Sequence, residues 1–268
     1  MATYHFSMAT VGRSDGGSAV GSAAYRQGQR YKDEYTNTWS RDYSKKAAEE
    51  VVESGVFFPL GEKPMSINQL WNMAEAAESR KNSTTALSLN MALPHELTRE
   101  QQVNLVKEFA EEVSTKHKLA GDWSIHHLDT NTHAHLGLTT RRLEGGKLTE
   151  KAREFNIANG GRGVVEELRK RWAELINDCY EGLGLFVRVD HRSYERQGIK
   201  KAPGRHHGPG SGEHIAKKVA EAQKAAKKAH IHAVQAKRGR GQEPLHKNTN
   251  TLAVEKITTK SRGAGPSR

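Results

Sequence analysis

The chain has 268 residues, enough for one large domain with an appendage or for two small domains. A single cysteine, Cys179, excludes an internal disulfide framework and any cysteine-rich zinc site, and fits a reducing compartment. No apolar run approaches the roughly 18 residues of a membrane span, and no basic-then-apolar leader opens the chain, so a cytoplasmic protein without membrane insertion is expected. The net charge of +11 is unevenly held: residues 1–199 carry 26 Lys and Arg against 27 Asp and Glu, while residues 200–268 carry 16 against 4. A near-neutral body thus precedes a tail of +12, a distribution that suits a polyanionic partner such as nucleic acid, because neutralising phosphates releases counterions.

In chain order, residues 3–11 predict a first strand with Tyr4, Phe6 and Met8 on one face. After a polar loop over residues 12–17, Ser18 can cap a helix reaching about Lys32, with Val20, Ala23, Ala24 and Tyr31 on or near its apolar side. Tyr25 shares its face with Ser18, Gly21, Ser22, Gly28 and Gln29, so nothing bulky would block a large partner from its hydroxyl. Taken alone, the segment is better served by an ordinary half-buried helix tyrosine. Residues 33–45 are polar and aromatic, and predict a loop. Ile67, Leu70, Trp71, Ala74 and Ala77 predict an amphipathic helix ending near Arg80. Residues 84–93 alternate, with Leu87, Leu89, Met91 and Leu93 opposite Ala86, Ser88, Asn90 and Ala92, as in a half-buried strand. Thr98-Arg99-Glu100-Gln101 is a capping box that Val103, Val106, Ala110 and Val113 continue as a helix. Gly145-Gly146 and Gly160-Gly161 bracket a loop-like basic stretch. A long helix from Val164 to Leu183 is closed by Gly184, and Leu185 to Asp190 predict a last strand. The expected order, β-α-α-β-α-β-β-α-β, gives an α+β sheet with helices on one side and an open face on the other. Beyond it, residues 201–212 are rich in Gly, Pro and His, residues 213–237 predict an Ala/Lys helix, and residues 238–268 predict disorder.

The richest stretch runs from Trp123 to Thr140 and holds four histidines: His126, His127, His133 and His135. Asp129-Thr130-Asn131-Thr132 favours a tight turn between two strands. A loop of two or four residues pairs 128 with 133 and 126 with 135, placing His126, His133 and His135 on one face and His127 on the other. A loop of odd length exchanges His126 for His127. Three imidazoles on one face are enough for a divalent-metal site.

Tyr4-His5-Phe6-Ser7 and Ser18-Ala19-Val20-Gly21-Ser22-Ala23-Ala24-Tyr25-Arg26 resemble the N-terminus of the MobA/MobL relaxases, members of the HUH endonuclease superfamily. Asn131-Thr132-His133-Ala134-His135 resembles the family's histidine motif, and Asp190 to Ile199 a block near the end of its relaxase domain. The resemblance implies a five-stranded antiparallel sheet with helices on one face and a histidine-metal and DNA groove on the other. It implies a relaxase domain over residues 1–210 and does not reach the basic helical and disordered extension over 211–268, which is read from composition alone. It assigns Tyr25 as nucleophile and His126, which follows the apolar Ile125, as metal ligand with His133 and His135. The metal would be Mn or Mg. The implied activity is nicking of one strand at a plasmid transfer origin through a 5′-phosphotyrosyl intermediate, religated after transfer. The partners would be single-stranded DNA, auxiliary mobilization proteins and the secretion machinery, with export alongside the DNA into a recipient. One departure stands out: Ser88 occupies the position where the family usually carries an acid, which leaves weakened metal binding, a replacement such as Asp129 or Glu96, or a catalytically impaired or non-catalytic DNA-binding member. A hydrolase acting through a metal-bound water is a third expectation, in which Tyr25 is dispensable.

Overall fold

A computed structural model describes residues 4–45, 50–127, 131–156 and 161–200, all within the unit Met1–His206. Five strands form one sheet: β1 (Phe6–Gly12), β4 (Val51–Phe57), β5 (Thr84–Ala92), β6 (Gly121–His126) and β7 (His133–Thr139). Their order is β1-β5-β7-β6-β4, and every neighbouring pair is antiparallel. Two small ribbons lie apart, β2 (Lys32–Asp33) with β3 (Thr38–Trp39), and β8 (Arg141–Glu144) with β9 (Lys147–Lys151). The helices are α1 (Ala19–Gln27), α2 (Ile67–Ala76), α3 (Arg99–His117) and α4 (Arg162–Gly182).

The alternation of β5 sorts its side chains as predicted. Leu87, Leu89 and Met91 join Ile125, Leu136 and Leu138 beneath α3 and α4, where Val106, Phe109, Trp172 and Ile176 complete the main core. Phe109 packs edge-on against both Phe6 and Trp172, a geometry that aromatic quadrupoles favour. The α+β class and the five-stranded antiparallel sheet match the expectation. The histidine face, however, is not bare: α1 and α2 lie on it, where Ala19, Val20, Ala23, Trp71 and Ala74 pack with Ala86. Val20 and Ala23, expected on the apolar side of α1, make that contact, while Gly21 and Ser22 on the face of Tyr25 are half-buried. Covered on both sides, β6 and β7 are buried at every position.

Several boundaries differ from the sequence expectations. Helix α1 stops at Gln27 rather than near Lys32, because Gly28 turns left-handed (φ 63) and Gln29 N–H closes back on the Ala24 carbonyl. Helix α2 ends at Ala76, short of Arg80, and the Arg13 guanidinium donates to the carbonyls of Glu75, Glu78 and Arg80 just beyond. Strand β4 was not expected at all. Its Glu53-Ser54-Gly55 centre breaks any apolar pattern, yet Gly55 fits where a Cβ would stand 2.9 Å from the Trp123 indole. The basic stretch after Gly145-Gly146 begins with β9, which pairs back on β8 across the two glycines; both take positive φ (59 and 74), as the tightest hairpin turns require. Leu185 to Asp190 form no strand. The backbone of Val189 instead exchanges two hydrogen bonds with the side chain of Asn177 on α4. The expected Ala/Lys helix and the remainder of the tail lie outside the described residues. Among the described residues, no helix is long and apolar enough to cross a membrane.

Candidate metal centre and tyrosine

Strands β6 and β7 pair His126 with His133 and Ser124 with His135. The sequence reading paired 126 with 135, so the register is displaced by two residues. An even displacement preserves which face each side chain takes, and the three histidines share one side. His127 does not join them; it is exposed, with Nδ1 2.7 Å from Thr132 Oγ1.

The three rings are buried and mutually edge-on, with centroids 4.5 Å (His126–His135), 4.8 Å (His133–His135) and 5.6 Å (His126–His133) apart. One ring nitrogen from each can be chosen so that all three lie within 4.8 Å of one another. His133 Nδ1 lies 2.8 Å from the Asn131 carbonyl, which only accepts, so Nδ1 carries the proton and the Nε2 lone pair faces inward. That lone pair meets His135 Nε2 at 3.1 Å. The Arg26 carbonyl holds His126 by accepting from its Nε2 at 2.8 Å. An all-imidazole set with two members oriented by backbone carbonyls is a donor arrangement that suits a divalent cation.

Helix α1 brings Tyr25 to this cluster. Its ring stands edge-on to His126 (centroids 5.9 Å apart), to His135 (6.0 Å) and to Tyr43 (5.4 Å), and the residue remains 39% exposed. The helix has little freedom. Ser18 caps its first turn, and Ala19 N–H donates to Glu75 Oε1 at 2.6 Å. At its end Arg26 donates to both oxygens of Asp122 (2.9 and 2.5 Å), Gln27 Nε2 to Oδ2 (2.7 Å), and Trp71 Nε1 to Oδ1 (2.9 Å). Asp122 is wholly buried and lies on the histidine face of β6. Gly137, its partner on β7, leaves room for the guanidinium, since a Cβ there would sit 2.3 Å from Arg26 Nη2. At nearby Tyr31, burial first, then the charge of Asp122, pushes the hydroxyl up to about 12.

Ser88 lies between Ala9 and Gly137, and the residue directly opposite His135 is Asn90. Glu96 is not a replacement acid, because it accepts from the Tyr180 hydroxyl at 3.1 Å on the α4 side of the sheet. Asp129 lies outside the described residues. Among those described, the cluster contains no carboxylate. Sequence reasoning missed the Arg26–Gln27–Asp122–Trp71 network and the contact of Tyr43. Its one available signal was Asp122 itself, which by strand alternation shares a face with Ser124 and His126.

Compared with known proteins, residues 17–218 match the model of the MobA/MobL family. The chain is 32% identical over 240 residues to "Mobilization protein MobL" of Acidithiobacillus ferridurans, covering 78% of this chain and 62% of that protein. It is 31% identical over 241 residues to "Conjugal transfer protein TraA" of Agrobacterium fabrum, covering 79% of this chain but 22% of the relative. The chain therefore spans less than two thirds of the length of either relative. A solved chain described as "Molecular Basis of Vancomycin Resistance Transfer in Staphylococcus aureus" superposes with a TM-score of 0.64 at 31% identity, covering 72% of this chain and all of that one.

Proposed function

Because the chain belongs to the MobA/MobL family, we propose that it is a DNA relaxase, nicking one strand at a plasmid transfer origin with Tyr25 as nucleophile. The observation that carries the reading is the contact of one half-exposed tyrosine with two of three clustered histidines. Tyr25 Oη bonds to the scissile phosphorus and loses its proton. The bond from phosphorus to the 3′ oxygen breaks, and that oxygen leaves as a 3′ hydroxyl after gaining a proton. The phosphodiester is exchanged rather than hydrolysed, so the 3′ hydroxyl can reverse the step and reclose the strand. A phenol has an unperturbed pKa near 10, and its attack depends on being held in line rather than on intrinsic acidity. Arg26 and Gln27, tied to Asp122, hold α1 and therefore the ring of Tyr25 in place. His126, His133 and His135 would hold a divalent cation, Mn or Mg, which when bound supplies Lewis acidity toward a phosphate oxygen.

The substrate is single-stranded DNA, because a duplex does not offer its backbone to a ring recessed against a sheet. The basic tail adds sequence-independent attraction to the strand, or docks auxiliary mobilization proteins and the secretion machinery. We assign the nicking unit to residues 1–210, and the extension to 211–268. The test is incubation of the protein with a labelled single-stranded transfer-origin oligonucleotide and Mn²⁺, followed by a search for a denaturation-resistant adduct. The adduct is expected for the parent chain, and expected to vanish in Tyr25→Phe and in chelator. Its survival in Tyr25→Phe would remove Tyr25 from the chemistry. The serine at position 88 and the absence of a carboxylate among the described cluster residues favour one second reading, a mobilization protein that binds DNA without cutting it. It predicts binding without any adduct.

A further inference from the structure

The ribbon β2–β3 takes no part in the main sheet, yet it is braced from several sides. Asp33 accepts from Ser18 Oγ at 2.7 Å and from Thr36 N–H at 3.1 Å. The Asn72 side chain on α2 donates to the Lys32 carbonyl (2.9 Å) and accepts from Glu34 N–H (2.8 Å). Tyr31 and Ser40 exchange two more bonds across the base of the ribbon. What this bracing presents is Trp39, 57% exposed, whereas Trp71, Trp123 and Trp172 are 0%, 4% and 0% exposed. An indole held outward on a fixed element adds nothing to a core. Tyr35, on the same ribbon, has its ring covered closely by the Arg13 guanidinium, at 3.6 Å.

The surroundings of Trp39 indicate a ligand. The Arg30 guanidinium lies 5.1 Å from its ring centre. Two residues on comes Arg41, which lies 5.7 Å from the ring of Tyr43, and Tyr43 stands edge-on to Tyr25. Rings and guanidinium groups thus alternate toward the tyrosine, and four residues of chain place Trp39 at most about 14 Å from Tyr43. Aromatic faces interleaved with cations are how proteins hold single-stranded nucleic acid, bases on rings and phosphates on charges.

We propose that Trp39 is a stacking platform for a base of the single-stranded DNA that passes Tyr25, with Arg30 and Arg41 facing its phosphates. The inference rests on the DNA reading given above and adds a binding residue to it. Base stacking on one ring is worth roughly 5- to 150-fold in affinity. Because Trp39 is the one exposed tryptophan of the four, intrinsic emission reports on it directly.

The experiment titrates the full chain, in chelator so that no strand is cut, with a single-stranded transfer-origin oligonucleotide and with an abasic strand of equal length. The oligonucleotide should quench the tryptophan emission of the parent chain, and the abasic strand should not. Trp39→Leu should lose the quenching and bind the oligonucleotide roughly 5- to 150-fold more weakly, with no penalty on the abasic strand. Trp39→Tyr should keep most of the affinity. Equal affinity of parent and Trp39→Leu, or a penalty undiminished on the abasic strand, would overturn the platform and leave the nicking reading standing. If the parent chain binds no single strand at all, both fall. Should Trp39→Leu fail to fold, the parent's own quenching decides, since its absence at saturating DNA overturns the platform.

Discussion

Asp122 is the residue on which the site depends without containing it. Four donors from Arg26, Gln27 and Trp71 reach its two oxygens, and no solvent does. Removing one partner of a buried ion pair strands the other, at a cost of about 3–5 kcal/mol. Asp122→Ala should therefore lower stability by about that amount in urea denaturation. Asp190 gives the contrast. The Arg192 guanidinium donating to it holds its carboxyl down at about 2, but the pair is open to solvent, where ion pairs stabilise little. Asp190→Ala should leave the urea midpoint unchanged. A drop as large as that of Asp122→Ala would mean that the segment after α4 is structurally essential.

At the scale of elements, α1 and the central strands meet through glycine. At Gly137 an added Cβ would stand 2.3 Å from Arg26 Nη2 and 2.6 Å from Asp122 Oδ1, whereas at Gly163, in the first turn of α4, it would meet nothing within 4 Å. Gly137→Ala should cost about 1–3 kcal/mol from overpacking alone, and weaken any tyrosine-dependent nicking by displacing α1. Gly163→Ala should stabilise by about 0.4–1 kcal/mol, through the entropy of the unfolded chain; thermal melts of the two variants check both signs. Elements were legible in the sequence where one face alone is greasy. The leucines of β5, the capping box at Thr98 and the stripe of α4 announced themselves locally. The residues of the β6–β7 hairpin left its parity open, and the family resemblance rather than the spacing favoured His126 over His127; the register itself is set by the partner strands more than by the turn. Strand β4 escaped because its identity comes from its neighbour: Gly55 is explained by Trp123, far along the chain. The anchoring of Tyr25 escaped for the same reason, since Arg26 and Asp122 are 96 residues apart. The histidine and tyrosine residues were visible as types at spacings; the polar network that brings them together was not.

For the whole molecule, charge is divided between body and tail, with residues 1–199 near neutral and residues 200–268 at +12. If the tail contacts phosphates, deleting residues 213–268 should weaken DNA binding and flatten the plot of log affinity against log salt, while oligonucleotide nicking stays detectable. An unchanged slope would exclude the tail from DNA contact. The body, in turn, carries its site on α1, β6 and β7, and one carboxylate ties the first two together, since β6 supplies both His126 and Asp122, and Asp122 holds α1. A nine-residue helix has little persistence of its own in water. It cannot peel from the sheet without leaving an ionised aspartate in a dry interior, so local fraying of α1 is tied to the opening of the central strands. The distance between Tyr25 and the histidines is consequently protected by the cooperativity of the fold itself, and would be lost only when the sheet is lost.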